Sequence, residues 1–246
     1  MSNPTRINDL IFEALQCANK NNYLEAKNII LSIFNEIKNL NEINASAWQD
    51  IGSICILLGM LDKAKDSFLN AQNLPSAAFC SILLDKFSFA NELLNKSEDS
   101  SAKLWCQFLL DMFSSDKKNK HIPSFLAIRH YLEFTVYTLL VLNKHEYIQL
   151  IIKNLNSLLE INNDAEKFIG YAYLHFNLCD EAIKYIRNSI KRNQQDGEAH
   201  FVLGQLYFMK NDLNTALSYL NIANLFLPDH YPTQILLRKI NNSLKL

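Results

Sequence analysis

The chain has 246 residues, 49% of them apolar and 20% charged, and a formal net charge of −1. That balance excludes a disordered chain and leaves no global field to draw it to nucleic acid or an anionic membrane. Five Gly and five Pro are too few for a fold rich in tight hairpin turns, so composition points to long helices.

The first residues, Met-Ser-Asn-Pro-Thr-Arg, lack the apolar core of a signal peptide, which predicts a cytoplasmic protein. Thr5 caps a first helix ending near residue 19, and residues 23–40 make a second. Further helices are predicted at about 45–58, 61–73, 76–84, 87–96, 100–113, 123–142, 145–161, 164–176, 179–192, 197–209, 212–226 and 231–244. Asp99 is the expected cap of the helix carrying Trp105. The turns are short and polar, as at Lys20-Asn21-Asn22 and Lys210-Asn211-Asp212, which suits antiparallel neighbours. The longest apolar run, 132–142, contains Glu133 and is too short to span a bilayer. The basic run Lys117, Lys118, Lys120 and His121 has no interleaved aromatics and reads as a solvated loop. Five widely spaced Cys with no Cys-x-x-Cys pair read as reduced core thiols.

A repeat is hidden in the spacing of small residues. Gly204 is followed after twelve residues by Ala216, after seven more by Ala223 and after five more by Pro228. Gly170, Ala182 and Ser189 keep the first two intervals, as do Gly52, Ala64 and Ala71, with Pro75 one residue early. The interval of twelve also links Ala14 to Ala26, Ala78 to Ala90 and, in degenerate form, Val136 to Ile148. Ile148, Ala182 and Ala216 are each 34 residues apart. Small residues on both helices of a hairpin let the backbones cross closely. Gly costs about 1 kcal/mol relative to Ala in a helix interior, so its recurrence at one phase signals a packing requirement.

The segment Ala199 to Tyr207 with Ala216, Tyr219, Leu220, Ala223 and Pro228 resembles a full tetratricopeptide repeat. Residues 45–75 resemble it nearly as well, through Ala45, Trp48, Ile51, Gly52, Ala64, Phe68, Ala71 and Pro75. Residues 163–196 do so at Ile169, Gly170, Tyr173, Ala182 and Ile186, but depart at Glu166, where a large apolar residue is usual, and at Gln194, where Pro is usual. Residues 7–40 and 76–97 are weaker, and 129–162 keeps little beyond spacing. The resemblance implies an all-α fold, a right-handed α-α superhelix of stacked antiparallel helical hairpins. It also implies a non-catalytic interaction scaffold or adaptor; the alternative is a secretion or assembly chaperone shielding an apolar partner.

The expected organisation is hairpins over 1–97, an irregular helix and loop over 98–128, and hairpins with a capping helix over 129–246. The helix at 104–113 has no obvious partner. The joint reads equally as a hinge or as a degenerate repeat with an unusual loop. In the last helix Arg238, Lys239, Asn241, Asn242 and Lys245 oppose Leu236, Ile240 and Leu244, the pattern of a polar-backed cap.

Residues for catalysis are not apparent. There is no Gly-rich phosphate loop, His-Glu-x-x-His or Gly-x-Ser-x-Gly. His175 and Cys179 straddle a turn, Glu160 and Asp164 do the same, and Asp62 and Asp66 are flanked by Lys63 and Lys65. Cys17 and Cys55 fit burial better than nucleophilic chemistry, and His200 fits a core edge. No metal and no cofactor are expected. In the family this chain resembles, the first helix of each hairpin lines a concave groove for a peptide or helix. Carried over by phase, the lining is His130, Glu133, Tyr137 and Leu140, then Lys167, Tyr171, Leu174 and His175, then Phe201, Gln205 and Phe208, with Gln49, Ser53 and Ile56 nearer the N-terminus. The partner-binding candidates are Tyr137, Lys167, Tyr171, His175, Phe201, Gln205 and Phe208. Leu140, Leu174 and Phe208 read equally as inter-hairpin packing. The basic and amide clamp with which one subclass grips a chaperone tail is missing, because its sites hold Glu133, Tyr137, Phe168, Glu198 and Val202. The expected partner is a protein or peptide, with no nucleic acid and no membrane span.

Overall fold

The structure, a computed structural model, describes residues 4–37, 43–114 and 121–243. Among the described residues all regular structure is helical. Six helix pairs carry the repeat: α1 (Pro4–Asn19) with α2 (Tyr23–Ile37), α3 (Ala45–Leu57) with α4 (Leu61–Asn70), α5 (Leu74–Leu83) with α6 (Phe87–Lys96), α8 (Phe125–Val141) with α9 (His145–Lys153), α11 (Ala165–His175) with α12 (Cys179–Arg192), and α13 (Gly197–Met209) with α14 (Leu213–Phe226). Three helices stand outside the pairing: α7 (Ser101–Phe113), α10 (Leu155–Ile161) and α15 (Tyr231–Ser243).

One turn joins the two helices of every pair. Seven residues beyond each small site the backbone enters the left-handed region, at Asn21, Gly59, Asp85, Asn143, Asn177 and Asn211, with φ between 55° and 70°. The N–H of the next residue then returns to a carbonyl five positions back. The bonds are Asn22 to Cys17, Met60 to Cys55, Lys86 to Ser81, Lys144 to Leu139, Leu178 to Tyr173 and Asp212 to Tyr207, at 2.8–2.9 Å. This is the Schellman closure of a helix C-terminus, and Gly, Asn and Asp tolerate its left-handed residue.

The small sites have a specific neighbour. A Cβ on Gly52 would lie 2.7 Å from the Phe68 ring, on Gly170 2.6 Å from Ile186 Cδ1, and on Gly204 2.5 Å from Leu220 Cγ. The bulk over each glycine therefore comes sixteen residues on, not from the Ala twelve residues on. Ala216 instead brings its carbonyl oxygen, 3.3 Å from the same Gly204 Cβ position. Where the small residue is Ala, the residue sixteen on is again large and fully buried, Ile30 after Ala14 and Leu94 after Ala78.

The chain divides into two compact units, Met1–Ala127 with Thr138–Ile151, and Ile128–Tyr137 with Ile152–Leu246. In the first, α7 packs on α5 and α6, which supplies the partner its sequence did not reveal. Its Trp105 is 1% exposed, and the Cys106 thiol donates to the Pro75 carbonyl at 3.4 Å. Ser100, not Asp99, caps α7 by accepting the Lys103 N–H, while Asp99 pairs with the Lys103 ammonium at 3.1 Å. Asp111 accepts both the His121 N–H, at 2.6 Å, and a hydrogen bond from its ring. Lys117, Lys118 and Lys120 lie outside the described residues. The helix expected over 145–161 is interrupted at Asn154, giving α9 and α10. Thr5 sits in the first turn of α1 rather than ahead of it, because the helix already starts at Pro4.

In the second unit α11–α12 and α13–α14 repeat one internal pattern. Tyr173 stacks on Tyr185 at 5.6 Å and Tyr207 on Tyr219 at 5.7 Å, the rings of each pair nearly parallel. Helix α15 covers α14, burying Ile240 against Ala216 and Leu220. Arg238 and Lys239 face outward, as a polar-backed cap requires; Leu244 lies outside the described residues.

Candidate functional site

Helix α13 buries Ala199, Val202, Leu203, Gly204 and Leu206. Its less buried stripe is Glu198, Phe201, Gln205 and Phe208, at the three- and four-residue spacing of one helix face. On α11 the same stripe is Tyr171, Leu174 and His175, and on α8 it includes Glu133 and Tyr137. Contacts between helices join these stripes within the second unit. His175 Nδ1 lies 3.1 Å from Glu133 Oε1, and the Tyr137 ring meets Phe176 edge-on at 6.2 Å.

Lys167 sits beneath this face, only 7% exposed. Its ammonium lies 2.8 Å from Asp196, 3.4 Å from Asp164 and 3.7 Å from Glu198. Burial alone would lower its pKa, but the three carboxylates outweigh that and hold it above the ordinary lysine value. Asp196 has a second task, accepting the Ala199 N–H at 3.0 Å as the N-cap of α13. Lys167 therefore fixes the entry of α13 and the carboxylates around it.

The other candidates are distributed over the same face. Tyr171 is half-buried, and its hydroxyl is buried close to the Glu198 carboxylate. Burial raises the pKa of that hydroxyl strongly, and the nearby Glu198, Asp196 and Glu133 carboxylates raise it further. His175 is exposed, and the hydrogen bond to Glu133 lifts its pKa above 6.5 against the opposing effect of burial. Phe201 packs edge-on against His230 at 4.7 Å, and with Phe208 it lies against the core under α15. Gln205 is partly exposed between them. Of the alternatives weighed for packing, Leu140 is buried and Leu174 half-buried. Asp164, Asp196 and Glu198 were not among the sequence candidates. Asp164 and Glu198 share a phase, each six residues before a repeat glycine, and that spacing was the available signal.

Glu166, Cys55 and His200 are buried within the hairpins. Glu166, at the position where a large apolar residue is usual, is 5% exposed and held by Arg192 at 3.0 Å and Asn188 at 3.2 Å. Burial pushes the Cys55 thiol up to about 12, far from a reactive thiolate. His200 is buried between Tyr219 and Phe226, with Nε2 3.0 Å from the Gln194 carbonyl. Among the described residues no three His, Cys, Asp or Glu side chains are grouped to hold a metal, and no helix is long and apolar enough to cross a membrane.

Residues 45–77 match the tetratricopeptide repeat. No curated protein matches the chain. Among solved structures it is similar to a tetratricopeptide repeat protein from Parabacteroides merdae, at 14% identity and TM-score 0.37, covering 95% of this chain and 98% of that one. A chain of the Cut9–Hcn1 hetero-tetramer of the APC/C matches at 14% identity and TM-score 0.37, covering 95% of this chain and 42% of that one. This chain thus spans less than half of that relative. TTC0263 from Thermus thermophilus matches at 13% identity and TM-score 0.32, covering 98% and 100%. The present chain's own six closures of one kind, its small-residue crossings and the match over residues 45–77 make it a tetratricopeptide-like helical-repeat protein.

Proposed function

We propose that the chain is a non-catalytic scaffold or adaptor that binds a peptide or helix of a partner protein along its first-helix faces. The observation that carries this reading is the continuous stripe of Glu133, Tyr137, Tyr171, His175, Glu198, Gln205 and Phe208. It mixes half-exposed aromatics with polar groups while the core lies on the other side of the same helices. Aromatic side chains bury much area at low entropic cost, and polar groups around them fix register. Lys167 contributes by holding Asp196 and Glu198 in place. Phe201 forms the floor rather than the rim.

The test is retention of partner proteins from native extract on the tagged chain, compared with a Gln205→Lys variant. Residue 205 is partly exposed and lies outside the Lys167 carboxylate cluster, so the variant should keep wild-type helicity. The expected result is loss of the retained partner by the variant. Equal retention by both proteins, or a bound small molecule with no protein partner, would contradict the reading.

A further inference from the structure

A second surface lies in the first unit, between α1 and α3, where a groove of about 430 Å³ opens. That is the small end of ligand-pocket sizes, roughly 300–1,000 Å³, with room for a few side chains and none for a folded domain. Its apolar wall includes Phe12, Leu15, Ile54 and Leu57, and Asp50 and Ser53 stand among the polar lining residues. Phe12 is 62% exposed and Leu15 38%. The unit's own core does not use them, because α1 turns Ile7, Ile11, Ala14 and Ala18 inward instead.

Among the described residues the charge of this surface has one sign: Asp50 is the only charged side chain lining the groove, and Asp9 and Glu13 are exposed on α1 near Phe12. Helix α3 carries no Lys or Arg, and the single cation of α1, Arg6, is 3.1 Å from Glu36 of α2. Lys20 follows only after α1 has ended. An apolar slot with an uncompensated carboxylate at its lining matches an amphipathic segment that puts an apolar anchor and a cation on one face.

We propose that the α1–α3 groove seats a protein segment bearing a bulky apolar residue with Lys or Arg within one helical turn of it. The apolar side chain fills the space between Phe12, Leu15 and Leu57, and the cation pairs with Asp50. The proposal concerns the first unit alone, so it can fail while the reading of the second unit stands, and the reverse.

Panning random dodecapeptides displayed on phage against the immobilised full chain tests it. The wild type should enrich peptides with Lys or Arg within four positions of Phe, Leu, Ile or Trp. A synthetic copy of the enriched peptide should lose roughly tenfold or more in affinity on Phe12→Asp and on Asp50→Lys, and keep it on Lys184→Ala. Circular dichroism checks that Phe12→Asp remains helical. If it does not, Asp50→Lys, at an exposed helical position, carries the test alone. Enrichment of acidic or uncharged peptides, no enrichment, or affinity indifferent to both substitutions would overturn the proposal. So would a concentration-dependent dimer abolished by Phe12→Asp, which would make a second copy the occupant.

Discussion

Lys167 and Glu166 are neighbours on α11 with opposite surroundings. Glu166 points toward α12, where Arg192 and Asn188 satisfy it. Lys167 reaches toward α13 and is shared by Asp164, Asp196 and Glu198. Each is a buried charge that persists only because its partners are in place. His175 differs in being exposed. Its folded pKa is raised by Glu133, so the stabilisation from that pair is complete below about 6.5 and is lost as pH rises through the folded value. Ring-proton NMR should therefore find His175 titrating above 6.5, and Glu133→Gln should bring it back toward that value. A wild-type pKa at or below 6.5 would show the Glu133 contact to be absent in solution.

The helix pairs were legible in the sequence because close crossing leaves a mark, small residues twelve positions apart at a fixed phase; the structure adds a left-handed turn seven positions after the first of them. Ala14–Asn21 and Gly204–Asn211 follow the same rule at opposite ends of the chain. Helix α7 obeys no such phase. Its partners are the surfaces of α5 and α6, and packing on a surface imposes hydrophobicity without spacing. The break at Asn154 was hidden for a similar reason, since apolar periodicity runs through it. The cluster around Lys167 was invisible because its members come from α11, from the entry to α13 and from the turn before α11, and no local pattern joins them. The turn itself supports a sharp expectation. Asn177 has φ of 60°, so Asn177→Val should destabilise by about 1–2 kcal/mol, whereas Asn177→Gly should be within a few tenths of wild type. Urea unfolding of the two variants checks this, and equal midpoints would mean that the left-handed turn is not maintained.

At the scale of the molecule, successive first helices meet within each unit, α1 with α3 in the first and, through Glu133–His175 and Lys167–Glu198, α8 with α11 and α11 with α13 in the second, leaving their less buried stripes as candidate binding faces. The second unit offers aromatic and acidic groups around Tyr171 and Glu198, and the first an apolar slot beside Asp50. At the second-unit positions to which the resemblance assigns the Lys and Asn clamp of chaperone-tail adaptors, Glu133, Phe168 and Val202 stand instead. Binding of a protein segment on these faces is the central claim. Its most direct test is site-specific photo-crosslinking in the native cell, with a benzoylphenylalanine placed in turn at 12, 171 and 205 on first helices and at 184 and 221 on second helices. Crosslinks to a protein partner are expected from the first-helix positions and none from 184 or 221. Crosslinks mainly from 184 and 221, or from no position at all, would contradict it.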